Sequence, residues 1–119
     1  MQDWKDIRPI VEEVLKEPQY TNSARYNGEP CFLTAYQIAV LVDERDSTLK
    51  GALPIGGKGV GPESFAQRIA RHLSDDVNKN VFGGKLEIRF LSISGLDKFT
   101  FGGGNEPSSD EFSMFRLIS

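Results

Sequence analysis

Along the first segment the apolar positions Ile7, Val11, Val14 and Leu15, joined by Trp4 and Ile10, recur at helical spacing, while Glu12, Glu13, Lys16 and Glu17 take the opposite side. The pattern predicts a first helix that stops at Pro18. Proline fits a first helical turn but costs about 3 kcal/mol in a helix interior, so Pro9 places the start of the regular helix near Arg8, after a looser turn. Residues 19–30 are polar and turn-prone, with Asn27-Gly28 as the sharpest turn signal, and a short strand is expected at Cys31 to Leu33. Thr34-Ala35-Tyr36-Gln37 then reads as a capping box, and Leu33 and Ile38 occupy the two positions of a hydrophobic staple. A second helix is therefore expected from Leu33 to about Glu44.

The next stretch, from Ser47 to Gly61, is too rich in glycine to be a regular element. Pro62 at a first helical position and Glu63 after it predict a third helix over Pro62 to Val77. Its apolar seam is Phe65, Ile69, Leu73 and Val77, padded by Ala66 and Ala70, and Ser64, Gln67, Arg68 and Arg71 form a polar stripe expected to face solvent. After Gly83-Gly84 the period changes from helical to two. Leu86, Ile88 and Phe90 alternate with Glu87 and Arg89, and Phe99 and Phe101 flank Thr100, predicting a hairpin over residues 86–101 with Lys98 near its tip. A last strand, Glu111 to Ile118, carries Phe112, Met114, Phe115, Leu117 and Ile118. The aromatic residues Phe90, Phe99, Phe101, Phe112 and Phe115 alternate with polar neighbours, which favours a core over a stacking platform for single-stranded nucleic acid.

With 119 residues, 39% apolar and 26% charged, the chain suits a single domain, residues 1–119, built around one modest core. The longest uncharged apolar runs, Ala35 to Val42 and Phe90 to Ile93, are far short of the roughly 20 residues that span a bilayer. Asp3, Lys5 and Asp6 leave no apolar stretch for a signal peptide, so a cytoplasmic location is expected, with no membrane partner. The lone cysteine, Cys31, reads as a small buried hydrophobe. Net charge is −3, which works against binding a polyanion. The distribution is uneven, however: residues 1–48 hold nine acids and five bases, whereas residues 50–98 hold eight bases and five acids. That distribution softens the objection, although an excess this small also fits ordinary surface charge.

The order helix, short strand, helix, helix, strand, strand, with one extra strand at the end, resembles the winged helix-turn-helix superfamily. The resemblance is topological, covers about residues 3–101, and rests on the capped helix Leu33 to Glu44, the polar-faced helix Pro62 to Val77 and the hairpin Leu86 to Phe101. It implies an α+β fold: a three-helix winged-helix-like domain with a small antiparallel sheet and an extra C-terminal strand. In that superfamily the third helix enters the major groove and the wing touches a neighbouring groove or the backbone. Carried over, Gln67, Arg68 and Arg71 would face base edges or phosphates, Ser64 and Lys58 would hold backbone, and Lys98 would sit on the wing. The connection of about 15 residues between helices two and three departs from the tight helix-turn-helix turn.

The implied function is a small DNA-binding protein, a regulator or a protein of a mobile element, acting on double-stranded DNA. The terminal strand offers a sheet edge for a homodimer. The alternative is a protein-protein interaction module, an adaptor, inhibitor or immunity-type protein whose acidic N-terminal half meets a basic partner. Gly56-Gly57-Lys58-Gly59-Val60-Gly61 lacks the lysine-hydroxyl pair of a nucleotide-binding P-loop, leaving a backbone-phosphate clamp or a plain loop. His72, the only histidine, lies three and four residues before Asp75 and Asp76 and reads as a surface pair with them. With one cysteine and one histidine, no metal site or cofactor is expected, and no nucleophile-base pair points to an enzyme.

Overall fold

A computed structural model describes residues 1–17, 32–56, 63–92 and 111–118. Six elements follow in order: α1 (Trp4–Lys16), β1 (Leu33–Thr34), α2 (Ala35–Arg45), α3 (Phe65–Asn78), β2 (Leu86–Ser92) and β3 (Glu111–Leu117). Three helices and a three-stranded antiparallel sheet make a small α+β domain, compatible with a winged-helix-like topology. Of the strand expected at Cys31 to Leu33, Leu33 begins β1, whereas Cys31, the stop at Pro18, the loop 19–30 and the run 93–110 with Phe99 and Phe101 lie outside the described residues.

In α1, Ile7, Val11, Val14 and Leu15 are buried, as their spacing demands. The helix nevertheless begins at Trp4 and runs through Pro9 without a break. Pro9 can only deprive the Lys5 carbonyl of an amide partner, and both residues lie on the exposed side, where water replaces that bond. The start of α2 matches the capping box in full. The Gln37 amide donates to Thr34 Oγ1 at 3.1 Å, and Gln37 Oε1 accepts from the Thr34 amide at 2.9 Å.

The beginning of α3 differs from the sequence expectation. The first helical residue is Phe65, and Ser64 is the N-cap, its Oγ accepting from the Gln67 amide at 3.1 Å. The Phe65 and Ala66 amides donate to the carbonyls of Pro54 and Ile55 at 2.8 and 2.9 Å, so the segment before the glycine-rich loop is stitched to the helix. Gly56 closes that approach with φ +143°, and a Cβ there would stand 3.3 Å from Ala66 Cβ and 3.4 Å from Ser64 Oγ.

The sheet order is β1-β3-β2. β2 pairs with β3 over its whole length, from Leu86 opposite Leu117 to Ser92 opposite Glu111, and β1 pairs Leu33 with Phe115 and Thr34 with Met114. The terminal strand is thus the middle of the sheet. β2 covers one of its edges along its whole length and β1 covers the other at Met114 and Phe115, so the edge expected for a homodimer is occupied there. Among the described residues β2 pairs with residues 111–117, and the second strand of the hairpin predicted over residues 86–101 lies outside the described residues.

One face of the sheet, with Leu86, Phe115 and Leu117 buried and Ile88 half-buried, closes on the helices. The core there is completed by Ile7, Val11, Ile38, Val42, Phe65 and Ile69. Phe90 continues the same alternation yet is 68% exposed. Its cross-strand partner is the small Ser113, and the buried positions stop at Ile88 and Phe115, so the core expectation fails for Phe90 and holds for Phe115.

Candidate nucleic-acid interface

The side of α3 away from the core carries Gln67 and Arg68, both half-buried, and Arg71, which is exposed. Ser64 does not belong to that stripe. It is 2% exposed, and its hydroxyl is spent on the cap, so a contact from Ser64 to a DNA backbone would cost the helix its N-cap. Lys58 and Lys98 lie outside the described residues.

Glu63, just before the cap, receives both arginines. Arg68 Nη2 donates to Glu63 Oε2 at 2.6 Å, and Arg71 Nη1 stands 3.7 Å from Glu63 Oε1. The hydrogen bond from Arg68, with the arginine charges behind it, holds the Glu63 carboxyl below its ordinary value. Arg68 Nε is enclosed and has no hydrogen-bond partner among the described residues. The two cations read from the sequence as nucleic-acid contacts are therefore neutralised in part by an acid of their own chain.

The amides of residues 65–68 at the start of α3 are engaged within the protein. The amides of Phe65, Ala66, Gln67 and Arg68 donate to Pro54 O, Ile55 O, Ser64 Oγ and Ser64 O respectively. Three of the four donors that a helix start leaves open, those of Phe65, Ala66 and Gln67, are thus taken, and the Arg68 amide makes the first bond within the helix, which works against a helix-start version of a phosphate clamp. Gly57 to Gly61 lie outside the described residues.

The far end of α3 is anchored to α1 by a cluster the sequence reading missed. Asp76, 3% exposed, accepts from Arg8 Nε at 2.9 Å, Arg8 Nη2 at 2.8 Å and the Trp4 indole N–H at 2.9 Å. Hydrogen bonding to Asp76 pushes the Arg8 guanidinium further up, against the opposing effect of burial. The His72 ring stacks on Trp4, centroids 4.8 Å apart. His72 is half-buried against the indole rather than standing on the surface as an ion-pair partner. A signal for the cluster did exist: Trp4 and Arg8 on α1, and His72 and Asp76 on α3, are each four residues apart, so each pair forms one row on its helix.

On the outer face of the sheet, Arg116 Nη2 meets Glu87 Oε1 at 2.9 Å and its guanidinium lies 4.6 Å from the centre of the Phe32 ring. Arg89, exposed, stands 3.5 Å from the same Glu87 carboxylate. No group of three or more histidines, cysteines or acids that could hold a metal ion occurs among the described residues. No helix among them is long and apolar enough to cross a membrane. Searches of protein-family models, curated proteins and solved structures return no match to this chain.

Proposed function

We propose that the domain binds double-stranded DNA as a winged helix does, with α3 in the major groove and the β2–β3 ribbon beside it. The observation that carries this reading is the chain order α1-β1-α2-α3-β2-β3 with β3 between β1 and β2. That arrangement buries one side of α3 and leaves Gln67, Arg68 and Arg71 on the other. Glutamine and arginine are side chains able to pair bidentately with adenine and guanine edges, and arginine also with phosphate. Exposed Arg89 on β2 adds a cation to the ribbon. A single module of this size fits a small regulator or a mobile-element protein.

A second reading, a protein-interaction module, is favoured by one specific observation: Phe90 and Val81 are exposed apolar side chains, at 68% and 44%. Fluorescence anisotropy with a labelled random-sequence duplex, from about 50 to 200 mM salt, separates the two. The DNA-binding reading expects affinity that falls steeply with salt and disappears in a folded Arg68→Glu, Arg71→Glu variant. Absence of binding at the low-salt end would overturn it and direct attention to a protein partner at Phe90.

A further inference from the structure

We infer that Arg68 and Arg71 form a two-arginine clamp for one backbone phosphodiester of the duplex, and that Glu63 is the carboxylate occupying the clamp until phosphate displaces it. The inference rests on the DNA-binding reading and names the chemistry of its central contact.

The geometry is that of two guanidinium groups, one per oxygen, converging on a single anion: Arg68 on Oε2 and Arg71 on Oε1 of Glu63. Residues three apart share a helix face, so both cations reach the same point from α3. Two oxygens sharing one negative charge are also what a phosphodiester presents through its non-bridging atoms.

Glu63 fills this position poorly. The chain itself supplies the comparison, for Arg8 grips Asp76 through Nε and Nη2, one nitrogen to each oxygen, at 2.9 and 2.8 Å. Arg68 gives Glu63 only Nη2, and its enclosed Nε has no acceptor among the described residues. A grip through one nitrogen is weaker than a bidentate one, so the carboxylate is the more readily exchanged for a phosphate at Arg68 Nη2 and Arg71 Nη1. Exchange is also sterically open. The side chains of Arg68, Arg71 and Glu63 are 42%, 56% and 56% exposed. Glu63 precedes the N-cap Ser64, so its side chain can swing out without disturbing a helical hydrogen bond.

The test compares the wild type with Glu63→Gln, with Arg68→Gln, Arg71→Gln, and with Glu44→Gln, which removes the same charge from an exposed position on α2. With the labelled duplex, Glu63→Gln is expected to bind about two- to fivefold more tightly than both the wild type and Glu44→Gln, as suits release of an exposed ion pair. The double arginine variant is expected to bind weakest. Glu63→Gln matching Glu44→Gln would overturn the placeholder role, and binding weaker than wild type would make Glu63 a positioning residue instead.

A second arm follows the Arg68 Nε–H resonance by NMR during titration with inorganic phosphate. The clamp expects it to shift, at lower phosphate in Glu63→Gln than in the wild type. A shift without duplex binding would overturn DNA as the source of the phosphate while supporting the clamp. Neither a shift nor duplex binding would overturn both.

Discussion

The Trp4 indole lies flat against the His72 imidazole, ring planes 8° apart, and the same indole donates its N–H to Asp76, one helical turn further along α3. Two aromatic rings and a carboxylate thus fasten the start of α1 to the second half of α3. Ile7 of α1 and Ile69 and Leu73 of α3 are buried in the same core. The cluster ties α1 to the helix that carries Arg68 and Arg71.

Removing Asp76 tests that anchor. Asp76→Ala leaves the Arg8 guanidinium and the Trp4 N–H without their acceptor, and we expect a loss of about 2 kcal/mol, below the cost of breaking a fully buried pair because the Arg8 side chain is 33% exposed. Urea unfolding should show a lower midpoint at unchanged slope. Trp4→Phe keeps a ring for His72 and loses only the donor, so it should cost less. Equal stabilities of Asp76→Ala and wild type would show that the cluster adds nothing to the fold.

The capping box predicts a loss of about 1 kcal/mol for Thr34→Ala, because one side-chain oxygen satisfies the Gln37 amide and organises the glutamine that returns the bond. Thr34→Ser should retain most of that stability. Thermal unfolding of the two variants side by side is the check, and identical melting for Thr34→Ala and Thr34→Ser would rule the cap out as a contributor.

Gly56→Ala is expected to destabilise the domain by more than about 1 kcal/mol, since a φ of +143° strains any side-chain-bearing residue and the new methyl meets Ala66 Cβ at 3.3 Å. The effect should appear as a lower melting temperature together with faster hydrogen exchange at Phe65 and Ala66, whose amides depend on Pro54 and Ile55. Protection at these two amides equal to wild type would contradict the stitching role of the segment.

Acid should weaken the fold through Asp46. The Thr48 hydroxyl and amide both donate to its carboxylate and hold its pKa below the ordinary value. A folded-state pKa lower than the unfolded one means that the stabilisation is complete above the unfolded value and disappears as pH falls through the folded one. Below about pH 4, wild-type stability should therefore decline more steeply than that of Thr48→Val, which has less of this contribution to lose. Parallel acid limbs in the two proteins would show that the hydroxyl does not act on Asp46.

Arg68→Ala should weaken duplex binding by about 1–3 kcal/mol while leaving the melting temperature nearly unchanged, because its partner Glu63 is an exposed acid and surface pairs add little to stability. A change in melting with no change in binding would place Arg68 in the fold instead of the interface.

Local chemistry was readable from residue order wherever a short stretch carried its own signal. The Thr34–Gln37 box set the start of α2, and the spacing of Ile7, Val11 and Val14 and of Phe65, Ile69 and Leu73 named the buried sides of α1 and α3. Alternation through Leu86 and Ile88 declared a strand. Each of these follows from the pitch of a helix, the pleat of a strand or a hydrogen bond three residues long. The pairing of that strand with residues 111–117 did not follow, because alternation marks a face and carries no address. Helix periodicity likewise placed Ser64 on the polar stripe, when the carbonyls of Pro54 and Ile55 and the Ser64 cap moved the first turn to Phe65. Nor does periodicity see that Arg8 and Asp76 meet across 68 residues, or that Glu63 holds Arg68 and Arg71 together. A side chain's period records only whether it faces the core, whereas its partner is chosen when the helices and strands are packed and every buried donor, acceptor and charge must be satisfied at once.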